Sequence, residues 1–108
     1  MVHSTGSYDR FLKEGGGIDF RLNQNRWSSL KESDVIEFVD ESDEKKRYDV
    51  IILKLYKANS FEDLLDNLPD ELFDKSRKAD YLDFFAQWWS SEQEAREGVL
   101  GLHIEVLN

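Results

Sequence analysis

Gly15-Gly16-Gly17-Ile18-Asp19-Phe20-Arg21-Leu22-Asn23 is a glycine triplet running directly into a stretch of alternating character. Side chains alternate across a strand, so Asp19, Arg21 and Asn23 share one face, while Ile18, Phe20 and Leu22 share the other. The pattern predicts a half-buried strand over residues 17–22. Just upstream, Tyr8, Phe11 and Leu12 recur at helical spacing and Lys13-Glu14 precede the first glycine, which predicts a helix stopped there. Glycine reaches backbone angles closed to other residues and lets a ligand approach main-chain N–H groups, so this junction is also the first place to look for a site. An arginine fork beside a carboxylate suits planar polar ligands or phosphate, and it equally suits a structural ion pair.

Farther along the chain, Val35–Val39 reads as a second apolar strand, and the charged block Asp40–Arg47 reads as a solvated hairpin loop before the β-rich run Tyr48–Tyr56. Ser60 and Asp63 then form a capping-box-like pair ahead of an apolar stripe of Phe61, Leu64, Leu65 and Leu68, which Pro69 ends. Tyr81, Phe84 and Phe85 are expected in a buried helix face. Of the adjacent Trp88 and Trp89 only one can face inward. Ser91 with Glu94 predicts another capping box, with Glu92 and Glu94 opposing the helix macrodipole, and Gly98 stops that helix. Val99–Leu107 closes the chain as a strand. Strands gathered around a helical insertion predict α+β with a mixed or antiparallel sheet, because strand and helix do not alternate as a doubly wound fold requires.

The length of 108 residues fits a single domain spanning 1–108. No cysteine is present, which excludes a disulfide framework, a thiolate metal site and a cysteine nucleophile. With only His3 and His103, no metal and no cofactor are expected, and the lone His103 is a weak catalytic candidate. No apolar run is long enough for a membrane span and no basic-then-apolar leader is seen, so no membrane partner and a soluble, cytoplasmic protein are expected. The net charge of −9 argues against nonspecific nucleic-acid binding through massed cations. Yet residues 1–31 carry five basic and three acidic side chains, +2, whereas the rest carry nine and twenty, −11. The net-positive stretch therefore coincides with the glycine junction.

Lys13-Glu14-Gly15-Gly16-Gly17-Ile18-Asp19-Phe20-Arg21-Leu22-Asn23 resembles the opening signature of the ASCH domain family, relatives of PUA domains. Ser33-Asp34-Val35-Ile36-Glu37-Phe38, Tyr56 with Asn59-Ser60-Phe61-Glu62-Asp63-Leu64-Leu65, and Trp88–Glu94 with Gly98–Leu102 resemble later family segments in the same order. The resemblance implies a small PUA-like β-barrel, mixed or antiparallel, with helices closing one side and a cleft between the first helix and the barrel. It also implies binding of RNA or a nucleotide-like ligand. Some small members are amidohydrolases on acetylated cytidine and use a lysine just before the strand, with threonine and glutamate partners. Here the lysine position falls on Gly16 and the threonine position on Asp19.

The expected ligand site accordingly comprises Gly15, Gly16, Gly17, Asp19, Arg21, Arg26 and Trp27, with Arg21 as the leading contact and Trp27 as a surface for stacking. The leading expectation is a binding module for RNA or a nucleotide. An amidohydrolase or RNA hydrolase is the alternative from a different class, set back by glycine at position 16. A third is a protein-interaction domain whose acidic stretch from Asp40 to Asp83 meets a basic protein partner.

Overall fold

A computed structural model describes residues 1–107 as an α+β protein with a mixed five-stranded sheet. In chain order the elements are β1 (Val2–His3), α1 (Thr5–Glu14), β2 (Gly16–Leu22), β3 (Val35–Asp40), β4 (Asp43–Ala58), α2 (Phe61–Asn67), α3 (Lys78–Ala86), α4 (Ser91–Glu97) and β5 (Val99–Val106). Short 3-10 turns cover Asn25–Ser29 and Lys75–Arg77. The strands lie in the order β1-β3-β4-β5-β2, with β1 parallel and β4 antiparallel to β3. Asn23 N–H bonds the Gly98 carbonyl, whereas Val106 N–H bonds the Gly15 carbonyl. The start of β2 thus meets the end of β5, and the reverse, which is an antiparallel pairing.

The chain divides into two compact units, and the longer strands run through both. The first comprises Met1–Ile18, Lys31–Leu55 and the chain from Leu102. Its core is Tyr8 and Phe11 from α1, Phe38 from β3, Val50 and Ile52 from β4, and Leu102 and Ile104 from β5, all buried. Burying each such side chain is worth roughly 1.5–3 kcal/mol. Ser4 caps α1 by accepting from Ser7 N–H, and Gly15 at φ 78° ends it in the left-handed conformation that the glycine stop predicts.

The expected loop Asp40–Arg47 is instead a two-residue turn, because β4 already begins at Asp43. Asp40 turns its carboxylate inward and Oδ1 accepts from the Ser42 N–H and the hydroxyls of Ser42 and Thr5, which tightens the chain reversal. The charged residues that follow stand on a solvated strand, where Arg47 pairs with Glu37 at 2.7 Å.

The second unit comprises Asp19–Leu30 and Tyr56–Gly101. Ser60 caps α2 by accepting from Asp63 N–H, as its spacing predicts. At the other end of α2, Lys75 donates to the carbonyls of Leu65, Asp66 and Leu68. A cation there satisfies acceptors that the helix leaves open. Phe61, Leu64, Leu65, Leu68, Phe73, Phe85, Val99 and Leu100 form the buried core. Trp89 stacks on Phe61 at 5.1 Å while Trp88 is 65% exposed, so Trp89 is the inward member of the pair.

Two expectations are corrected in this unit. Phe84 is 54% exposed, because Phe85 occupies the inward face of α3 and its neighbour in sequence must point away. The capping box of α4 is Ser90 with Gln93, one residue ahead of Ser91 and Glu94. Glu94 reaches the Phe61 N–H at 2.7 Å instead.

Candidate functional site

The three glycines serve the fold before they serve any ligand. Gly15 is the helix stop. Gly16, at φ 152°, lies where an added β-carbon would come 2.3 Å from the Ile104 carbonyl oxygen. Gly17, at φ 148°, lies under the Phe11 ring, whose carbons would stand 3.1 and 3.3 Å from a β-carbon. Gly15 thus has a conformational reason to lack a side chain, and Gly16 and Gly17 have packing ones.

The same triplet also borders an open depression of ≈ 390 Å³, completed by Glu14, Leu53, His103, Ile104 and Glu105. On β5 the buried Leu102 and Ile104 alternate with half-buried His103 and exposed Glu105, so the latter pair face away from the core. Leu53 of β4, 44% exposed, adds an apolar wall. The lining therefore holds two carboxylates, one imidazole and no lysine or arginine. Such a surface repels phosphate and favours neutral or cationic groups. The sequence pattern makes His103 a weak candidate and carries no signal for Leu53 or Glu105, since only strand pairing brings them beside the triplet.

No lysine takes the place that the enzyme members of the resembling family require. Any side chain at Gly16 would begin inside van der Waals contact with a main-chain oxygen, and Lys13, exposed on α1, is not part of the lining.

Asp19, Arg21, Arg26 and Trp27 belong to the second unit and form a cluster of their own. Alternation along β2 puts Asp19 and Arg21 on one face, and Arg21 Nε donates to Asp19 Oδ2 at 2.6 Å. Asp19 is buried and the Arg21 side chain is 17% exposed, so this pair is shielded from solvent. After β2 the chain turns through Asn25 at φ 55° into the 3-10 turn, which carries Trp27 back toward Arg21. The Arg21 guanidinium carbon lies 4.9 Å from the centre of the Trp27 ring and that of Arg26 lies 4.5 Å from it. Two guanidinium groups thus share one indole, an arrangement of the cation-π kind.

Within this cluster Arg26 is exposed, while Trp27 and Arg21 are half-buried. Arg21 commits Nε to Asp19 and leaves its terminal nitrogens for any further acceptor. Asn23, two residues on, has its side-chain oxygen buried without a hydrogen-bond partner. Chemically the cluster offers a flat aromatic face and fork-shaped cations, a combination suited to planar or phosphorylated ligands. Among the described residues no group of three His, Asp or Glu side chains is placed to hold a metal ion, and no helix is long and apolar enough to cross a membrane.

No protein-family model and no curated protein matches the chain. Among solved structures it is similar to the crystal structure of hypothetical protein PH0355, at 19% identity and a TM-score of 0.73 over 99% of this chain and 100% of that one. It is similar too to the solution NMR structure of protein PF0455 from Pyrococcus furiosus, at 18% identity and a TM-score of 0.67 over 100% of this chain and 99% of that one. At such identity the likeness is one of fold, and the α+β arrangement described above is shared along nearly the whole of each chain.

Proposed function

We propose that this chain is an RNA- or nucleotide-binding module of the ASCH, PUA-like kind, and that its ligand is held by Trp27 and Arg26 with Arg21 as the supporting cation. The observation that carries the reading is the shared indole, with guanidinium carbons 4.9 and 4.5 Å from the Trp27 ring centre. Asp19 fixes Arg21, Arg21 steadies the ring, and the exposed Arg26 is free to trade its place over the indole for a base while keeping reach of the attached phosphate. Stacking of one base on an aromatic face is worth about 1–3 kcal/mol. The acidic glycine depression has the wrong sign for phosphate, so it has no part in this reading.

Because few cations take part, binding depends weakly on salt. With about two phosphates neutralised on a single strand, the logarithmic slope is roughly −1.4. The test is a titration of mononucleotides and short single-stranded RNAs, followed through backbone and indole N–H resonances. Movement gathered at residues 21–27, and lost affinity in Trp27→Ala and Arg26→Ala with folding unchanged, is the expected result. Titrations that leave the Trp27 indole unmoved by every nucleotide and RNA would refute it.

A further inference from the structure

We infer that the outward face of α3 is a docking site for a cationic, apolar-anchored segment of another protein. The inference stands apart from the nucleotide reading, since it involves none of the same side chains.

Phe84 and Trp88 stand one helical turn apart, 54% and 65% exposed, with ring centres 6.2 Å apart. The helix continues far enough to hold Trp88 on this face: the N–H groups of Gln87, Trp88 and Trp89 still bond the carbonyls of Phe84 and Phe85. Exposed aromatic side chains placed side by side are the residue types that anchor protein interfaces. A single exposed phenylalanine would be unremarkable on its own.

Charge decides the partner. Every cation of the segment leading into α3 has an internal task. Lys75 binds the carbonyls that end α2, Lys78 pairs with Asp66 at 2.9 Å, and Arg77 lies over the Tyr81 ring at 5.5 Å. The Asp66 carboxylate holds the Lys78 ammonium above its ordinary pKa, so that cation stays charged and committed. Asp80 and Asp83, exposed on α3 beside Phe84, have no cation paired with them among the described residues. The second unit as a whole carries twelve acidic and seven basic side chains, net −5. An apolar pair flanked by unpaired carboxylates, with the local cations engaged by partners within the chain, complements a segment that alternates apolar and basic residues.

The experiment uses the full chain and three synthetic peptides of equal length: an amphipathic lysine/leucine helix, its glutamate/leucine counterpart, and a lysine/serine control. Affinity and site are read by titration, following the Trp88 indole N–H. Binding of the lysine/leucine peptide alone is expected, weakened about tenfold or more in Trp88→Ala and several-fold in Asp80→Asn/Asp83→Asn at low salt, with Trp27→Ala unaffected. Equal binding of the lysine/serine or glutamate/leucine peptide, or affinity indifferent to both variants, overturns the proposal. So does self-association abolished by Trp88→Ala in a chain that ignores the peptides, because the occupant would then be a second copy. The two aspartates are exposed, so their variant keeps the test decisive should the aromatic substitution disturb folding.

Discussion

Gly16 is pressed against Ile104: a β-carbon on the former would stand 2.3 Å from the main-chain oxygen of the latter, with the Glu105 α-carbon 3.2 Å away. The obstacle is backbone within a strand pair, which cannot rotate aside as a side chain would. Gly16→Ala should therefore cost about 2–4 kcal/mol from steric overlap and strained backbone together. Gly15→Ala, left-handed at φ 78° but facing open space, should cost only about 1 kcal/mol. Urea unfolding of the two variants checks the order, and equal loss would contradict the close approach.

The adjacent tryptophans should part company under truncation. Trp89 is stacked on Phe61 at 5.1 Å, whereas Trp88 is largely in solvent. Trp89→Ala is expected to destabilise by roughly 2–4 kcal/mol and Trp88→Ala by less than about 0.5 kcal/mol. Thermal and chemical unfolding followed by circular dichroism measure both.

Stability should fall at both pH extremes for identifiable reasons. Burial, the neighbouring Tyr8 and Asp9 push the Tyr48 hydroxyl up to about 12, and burial likewise raises Tyr8. The unfolded chain releases these protons near the ordinary tyrosine value of 10.0 while the folded chain retains them, so stability is lost as pH climbs from there toward about 12. Tyr48→Phe, which also forfeits the hydrogen bond to the Tyr8 carbonyl at 2.8 Å, should flatten that alkaline limb at a cost of about 1 kcal/mol near neutrality.

At the acid end, the Ser42 N–H and the Thr5 hydroxyl hold Asp40 below its ordinary value, outweighing burial. Its contribution is present above the unfolded value near 3.8 and disappears as pH drops through the lower folded one. Midpoints of urea unfolding across the acid range, compared with those of Asp40→Asn, check this: the variant should show a shallower acid dependence.

Lys75 tests whether one cation closes the end of α2. Lys75→Met keeps the apolar stem and removes the ammonium from the carbonyls of Leu65, Asp66 and Leu68. A loss of about 1–3 kcal/mol is expected. Protection of α2 amides against hydrogen exchange should fall with it, and unchanged protection would show that water replaces the ammonium at no cost.

Local rules made much of this legible. The helix stop at Gly15 and the cap at Ser60 follow from single residues whose chemistry leaves little choice. Where two solutions satisfy the same rule, sequence does not decide: both Ser90/Gln93 and Ser91/Glu94 fit the capping spacing, and the Phe61 N–H that donates to Glu94 comes from elsewhere in the chain. The Asp40–Arg47 block reads as a loop because charge suggests solvent, although a strand can be solvated on both faces. In the site, the Asp19–Arg21 pair is visible in strand alternation alone. The approach of Trp27 is not, because it depends on the left-handed Asn25, nor are His103 and Glu105, which strand pairing alone brings beside the triplet.

All three tryptophans, Trp27, Trp88 and Trp89, lie in the second unit, while the aromatic core of the first is made of tyrosine and phenylalanine. Emission excited at the red edge of the spectrum therefore reports on one half of the chain only, and ellipticity in the far ultraviolet on both. Coincidence or separation of the two signals during melting reads directly whether the halves come apart as a single cooperative body.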